Sequence, residues 1–256
     1  MTGDTIPDKS TAATEGTGAG DAPMVIDFWS DVVCPWCGLM DHRLRAAKAR
    51  APFGSRVTVR HHSFQLHPDL PREGLSQRAL FTKVGLPQSE VDRNLLPIER
   101  MAREEGLIPY RAIDRTLGPT DLAHELLAYA TDQGHGDEAW EKIFRAHFGQ
   151  ARKLWTVGEV VAFAAEVGLD PEEAAEVLRD RRYRARVNAD QADAQRLGAH
   201  GTPFLVIDGR YAITGAVDTN GLLSAMTRAW DQSHPQPAPL PALIAEGQAC
   251  TPDGCA

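Results

Sequence analysis

The chain of 256 residues carries a formal net charge of −8, with 43% of its residues apolar and 24% charged. That length allows one domain with a sizeable core and room for a second lobe, and these fractions are ordinary for a soluble globular protein. No apolar run approaches the roughly 18 residues of a membrane span, and the acidic balance argues against general nucleic-acid binding, which needs a basic face.

Residues 1–23, MTGDTIPDKSTAATEGTGAGDAP, hold only Met1 and Ile6 as large apolar side chains. They lack the basic start and apolar centre of a secretory signal. A disordered leader and a cytoplasmic protein are therefore expected. MVIDFWSD (24–31) reads as a buried strand, rich in β-branched and aromatic residues. In CPWCGLMDHRLRAAKAR (34–50), Trp36, Met40, Leu44 and Ala47 recur at helical spacing. Pro35 suits the first helical position, where its missing N–H has no partner to lose. Cys34 then falls at the N-cap and Cys37 on the next turn. RVTVRHHSF (56–64) supplies a second strand.

From about residue 75 to 197 the pattern is helical almost throughout. Thr156 and Glu159 are spaced as a capping box, and Asp170, Pro171 and Glu173 as cap, first and third positions of another helix. PFLVIDGRYAITG (203–215) returns to strands, with Asp208-Gly209 as a two-residue hairpin signal. DTNGLLSAMTRAW closes with an amphipathic helix, and residues 232–256 form a proline-rich tail. The order β-α-β, helical block, β-β-α points to an α/β fold whose two halves share one sheet. On that reading 24–66 and 198–231 make the sheet domain and 67–197 a helical insertion.

The four cysteines form two tight pairs, Cys34 with Cys37 and Cys250 with Cys255. This is not the dispersed framework of a small secreted domain. At an N-cap, Cys34 gains from the free N–H groups and positive dipole end, which favour the nucleophilic thiolate. Cys37 lies one turn inside, at a spacing that suits a disulfide. Cys34 attacking and Cys37 resolving describes thiol–disulfide exchange. A CxxC also serves as half a zinc site, and four cysteines would complete one. Inert packing is the third reading. Pro-Trp opening a helix favours redox chemistry over zinc, which prefers turns with glycine or polar spacers. Among the other candidates, His61 and His62 fall on opposite faces of a strand end, so a metal site with His67 is disfavoured. The basic run 179–186 reads as a solvated helix face.

The strand–CPWC–helix, the helical insertion and the GTP before a final hairpin resemble the DsbA branch of the thioredoxin superfamily. WSDVVCPWC, SFQLHPDLP and FLVIDGRYAITGA are similar to its cytoplasmic FrnE-like subgroup, as is the tail's C-x4-C. The resemblance covers about residues 24–231 and implies a thioredoxin-like fold with a large helical insertion. It implies that Pro203 is a cis-proline facing the dithiol, that Thr202 lies beside Cys34, and that Pro35, Trp36, Thr202 and Pro203 contact substrate. Trp36 stands where DsbA has histidine, so strong oxidising character does not carry over, and a Cys34 pKa near thioredoxin's, roughly 7, is expected. The implied activity is reductase or isomerase work on protein or peptide disulfides, with a thiol electron donor and no cofactor. Cys250 and Cys255 can close a small loop through the Pro-Asp-Gly turn and are read as an accessory redox pair, with a redox-inert disulfide, free thiols and half a metal site as the other readings. The rivals are a glutathione-dependent isomerase or transferase of the hydroxychromene-carboxylate isomerase or kappa type, whose active position holds serine, and a four-cysteine zinc-stabilised binding protein.

Overall fold

The computed structural model describes residues 22–234 and the backbone of 250–251 and 254–255. The leader therefore lies almost wholly outside the described residues, as does most of the proline-rich tail. A four-stranded sheet is built from β1 (Met24–Ser30), β2 (Val57–Ser63), β5 (Phe204–Ile207) and β6 (Tyr211–Thr214). Its order is β2-β1-β5-β6, with β1 and β2 parallel and the other neighbours antiparallel. Ile26 pairs with Val59 on one side and Ile207 on the other, so β1 lies at the centre of the sheet.

Period-two alternation sends the sheet's side chains to two different cores. Ile26, Phe28, Leu205 and Ile207 pack with Met40 and Leu44 of α1 (Pro35–Arg50) and Leu222 and Met226 of α9 (Thr219–Ser233). Trp29, Phe204 and Val206 point the other way, onto Ala194 of α8 (Arg184–Arg196) and Ala199. Thus α8, though it lies within 67–197, covers a face of the sheet.

Between β2 and β5 the chain also forms α2 (Gln77–Lys83), α3 (Gln88–Glu104), α4 (Asp121–Asp132), α5 (Gly136–Phe144), α6 (Val157–Glu166) and α7 (Pro171–Arg179). Leu126 and Leu127 of α4, Trp140 and Phe144 of α5, Phe163 and Leu178 form the common core of α4 to α7, while α3 packs separately on Leu39 of α1 through Val91, Leu95 and Ile98. The sequence-assigned caps hold α6 and α7 in place. The Glu159 N–H donates to Thr156 Oγ1 at 3.4 Å while the Glu159 carboxylate accepts from the Thr156 N–H at 3.0 Å. Asp170 accepts from the N–H groups of Glu172 and Glu173 at 2.8 and 2.9 Å. Each such cap is worth about 1 kcal/mol.

Three details differ from the sequence reading. Two-residue strands, β3 (Leu75–Ser76) and β4 (Thr116–Leu117), pair within the region read as helical. The β5–β6 loop holds three residues rather than two, because Ile207 pairs with Tyr211. Asp208 and Gly209 both adopt positive φ (51° and 65°), and the Asp208 N–H and carboxylate bond the backbone of Val25 at 2.8 Å. Tying Asp208 to β1 in this way leaves Arg210 as the third loop residue. Finally, the basic run is not merely a solvated face. Arg181 bridges Glu125 at 2.6 Å and Asp121 at 2.7 Å, fastening the α7–α8 turn onto α4.

Candidate active site

Cys34 sits where β1 hands over to α1. Its extended backbone (φ −81°, ψ 113°) makes it the N-cap, and Pro35 opens the helix behind it. The N–H groups of Cys37 and Gly38 donate to the Cys34 carbonyl at 2.9 and 3.4 Å. Both cysteines are free thiols. Cys34 is 4% exposed and Cys37 0%. Cys34 is thus less open than a bare N-cap would leave it. The cover comes from across the sheet, where the Thr202 carbonyl accepts from Cys34 Sγ at 3.6 Å. The Thr202–Pro203 peptide bond is cis. Thr202 Oγ1 is buried without a hydrogen-bond partner, so it has a proton to offer a thiolate.

The two thiols are driven apart in acidity. A hydrogen bond from Cys37 is the largest influence on Cys34 and lowers its pKa. Burial opposes this, the Thr202 side chain and the Cys37 backbone reinforce it, and the Asp31 carboxylate opposes it; the net shift is downward. Cys37 is pushed well above its ordinary value, first by burial and then by Cys34. This split is the one that an attacking and a resolving thiol would need.

Around this pair the fold assembles residues that the sequence reading did not single out. Asp31, 0% exposed, accepts from the N–H groups of Leu66 (2.6 Å) and Val33 (3.3 Å) and lies 3.4 Å from Nε2 of His124 on α4. Burial would raise its pKa, but His124 and the Leu66 N–H outweigh that and hold it below its ordinary value. The Tyr110 hydroxyl donates to the Pro35 carbonyl, and its ring stacks on Phe148 at 4.8 Å. Arg115 lies over the other part of this cluster, with its guanidinium carbon 4.8 Å from the Phe148 ring centre. The one sequence signal here was an aspartate directly after a buried strand. Tyr110 and Arg115 stand in loop sequence with no periodic signature.

Trp36 is half-buried and packs against both the α4–α7 core and the cluster of Leu39 with α3. A cleft of about 380 Å³ opens beside α1, lined by Gly38, His42, Tyr110 and Phe144 among others, but neither cysteine borders it. His61 and His62 do face opposite ways. His61 stacks on Trp140 at 5.2 Å and His62 on Trp29 at 4.6 Å. Among the described residues, no group of three or more His, Cys, Asp or Glu side chains is placed to hold a metal ion. In the tail, β7 (Cys250–Thr251) and β8 (Gly254–Cys255) pair antiparallel with Cys250 opposite Cys255.

A mixed sheet with a dithiol at the start of its first helix and a cis-proline loop facing it defines a thioredoxin-fold protein. The DSBA-like thioredoxin domain family matches residues 25–227. A probable DsbA oxidoreductase from Streptomyces coelicolor is 34% identical and superposes with a TM-score of 0.77, over 91% of this chain and 98% of that one. The chain belongs to the DsbA-like thioredoxin family, whose members are generally oxidoreductases. The fold is shared more distantly with a 2-hydroxychromene-2-carboxylate isomerase (19% identity, TM-score 0.60, 81% of this chain and 97% of that one). It is also shared with the cytosolic disulfide reductase DsbM from Pseudomonas aeruginosa, solved with GSH (20% identity, TM-score 0.52, 81% and 96%). No curated protein sequence matches the chain.

Proposed function

We propose that this protein is a cytoplasmic, FrnE-like thiol–disulfide oxidoreductase that reduces or isomerises protein and peptide disulfides. The observation that carries the reading is the placement of two free thiols at one helix N-terminus, Cys34 as the N-cap and Cys37 a turn inside, with the Thr202 carbonyl 3.6 Å from Cys34 Sγ; the opposed acidity of the two thiols agrees with it. The Cys34 thiolate attacks one sulfur of a substrate disulfide, forming a mixed disulfide and releasing the other sulfur as a thiolate. Cys37 then gives up its proton to that leaving group and attacks Cys34 Sγ. The second substrate sulfur leaves as a thiolate and takes a proton from solvent, so the substrate departs as a dithiol and Cys34–Cys37 is left oxidised, to be reduced by two electrons from an external thiol donor. Pro35, Trp36, Thr202 and Pro203 frame the substrate, whose extended backbone would pair with Thr202 as an added strand.

The tail pair is assigned an accessory redox role. Residues directly opposite in an antiparallel pair have Cα atoms about 4.5–5.5 Å apart, a separation a disulfide accepts. Cytoplasmic placement rests on the sequence motifs. No helix among the described residues is long and apolar enough to cross a membrane. Two cysteines at the active position favour exchange over the serine-based isomerase reading.

The test is insulin disulfide reduction and refolding of scrambled ribonuclease by wild type and Cys34→Ser, with glutathione and a dithiol protein each tried as donor. Activity lost with Cys34 supports the assignment. Activity retained, or stoichiometric zinc in protein purified under reducing conditions, removes it.

A further inference from the structure

Cys34 is 4% exposed and Cys37 0%, yet disulfide exchange needs Cys34 Sγ to meet a sulfur of another molecule. Some cover has to move. The sheet order shows what that cover consists of. β1, which leads to Cys34, lies between β2 and β5. Beyond the end of β1, the chain leaving β2 stands on one side and the Thr202–Pro203 turn entering β5 on the other. Two strand spacings, about 10 Å, separate these neighbours, which is room for one extended chain.

The chain leaving β2 is a strap, 64–74, with neither helix nor strand. It runs beside the connector to Cys34. The Phe64 N–H donates to the Ser30 carbonyl at 3.0 Å and the Leu66 N–H to the Asp31 carboxylate at 2.6 Å, while Leu70 packs with Val33. The Leu66 side chain packs against the cluster that holds Val32, Cys34 and Cys37. It also packs against the cluster of Ala199 and Phe204, which flank the Thr202–Pro203 turn. Leu66 therefore bridges the two sides of the groove.

The Thr202 side is the fixed one. Ala199 and Pro203 are buried, the Ala199 N–H donates to the Ala194 carbonyl at 2.9 Å, and the Pro203 carbonyl accepts from the Gly215 N–H at 2.9 Å. The strap is held far less. All of 67–73 except Leu70 is exposed. Its backbone bonds are internal turns, from the Leu70 N–H to the His67 carbonyl at 3.4 Å and from the Gly74 N–H to the Pro71 carbonyl at 2.9 Å. Among the described residues, Arg72 alone ties 67–73 to the helices by side-chain hydrogen bonds. It donates to the Trp155 carbonyl at 2.6 Å and to the Asp121 carboxylate at 2.7 Å.

We infer that the strap is a latched gate on the dithiol: Leu66 covers Cys34, Arg72 holds the strap shut, and its release opens a groove one chain wide for the substrate. The inference rests on the redox reading of the dithiol but concerns access to Cys34, which is measured without any substrate. Arg72 touches neither sulfur nor substrate, and acts by setting the fraction of molecules in which the strap is open.

The experiment measures Cys34 alkylation against pH in wild type, Arg72→Met, Arg72→Lys and Leu66→Ala, with iodoacetamide and with a bulkier aromatic maleimide. Each profile gives two quantities: its midpoint reports the acidity of Cys34 and its plateau reports access. Arg72→Met should raise the plateau about fivefold, the effect of releasing one charged hydrogen-bond latch. The gain should be larger for the maleimide, and the midpoint should stay in place. Arg72→Lys keeps a charge opposite Asp121 and should stay within about twofold of wild type. Leu66→Ala should raise the plateau as Arg72→Met does; an unchanged plateau there removes Leu66 as the cover. An Arg72→Met plateau equal to that of wild type, or a change confined to the midpoint, overturns the inference. Should Leu66→Ala not fold, the exposed Arg72 decides alone. Failure of insulin reduction with an Arg72-dependent plateau would overturn the proposed function and leave the gate standing.

Discussion

Burial acts on Cys34 and Cys37 in the same direction, making both weaker acids, and only Cys34 is given enough donors to reverse it. Because the thiolate is the reactive form, iodoacetamide at pH 7 should modify Cys34 at least about tenfold faster than Cys37. Peptide mapping reads the ratio, and preferential labelling of Cys37 would reverse the assigned roles. In Cys37→Ser protein the resolving thiol is gone, so mixed disulfides with substrate should accumulate on Cys34. Gly38 is the second residue under tight control. A Cβ there would lie 2.6 Å from the Tyr110 hydroxyl and 3.0 Å from the Phe148 ring. Alanine would improve helix propensity by about 1 kcal/mol at most. The clash costs about 1–3 kcal/mol, and Tyr110 cannot swing aside while it is stacked on Phe148 and bonded to Pro35. Gly38→Ala should therefore lose about 1–2 kcal/mol in urea unfolding; a variant as stable as wild type would show that Tyr110 moves freely.

At the scale of elements, α8 is fastened to the sheet through His62. Its ring lies 3.0 Å from the Asp190 carboxylate on α8 and 2.8 Å from Asp27 on β1. Burial would lower its pKa, but Asp190 and Asp27 raise it to about 9. A raised folded-state pKa contributes stability fully present below the unfolded value of about 6.5 and lost as pH rises through about 9. A shift of that size corresponds to about 3 kcal/mol at most, which a quarter-exposed ring and screening reduce to about 1–2. His62→Gln should be destabilised by that amount at pH 6, with the gap to wild type closing above pH 9. Urea unfolding across this range tests it, and a pH-independent gap would assign His62 to packing alone. Elements built by local rules were legible in the sequence: the Cys34–Pro35 helix start, the Thr156 and Asp170 caps, and the Asp208-Gly209 turn. The third loop residue was not, because it follows from Asp208 bonding Val25, 183 positions away. Nor was α8's place against the sheet, since helical spacing does not say which surface a helix meets.

Over the whole molecule, the candidate site lies at the seam between the sheet and the helices inserted into it. The dithiol could be read from one end of that seam. Its surroundings could not, because Tyr110 reaches Pro35 and His124 reaches Asp31 only after the insertion folds back across 75 and 93 residues. Asp31 joins the two parts, with its backbone at the end of β1 and its carboxylate 3.4 Å from His124 on α4. It also works against the site, since its negative charge raises the Cys34 pKa. Asp31→Asn preserves the shape but removes the anion, and so should have two effects of opposite value. Stability at pH 7 should fall by about 1–3 kcal/mol, the cost of weakening a buried charged hydrogen-bond set. Because the folded Asp31 pKa is depressed, that stabilisation is present above the unfolded value of about 3.9 and is lost as pH falls through the folded one. The deficit of the variant should therefore disappear in strong acid. Cys34 should meanwhile become more acidic, because an anion that raises its pKa is gone. Urea unfolding against pH and a Cys34 titration on the same protein read both. A less stable variant with an unmoved Cys34 pKa would leave Asp31 as a structural clasp between sheet and helices, with no hold on the thiolate.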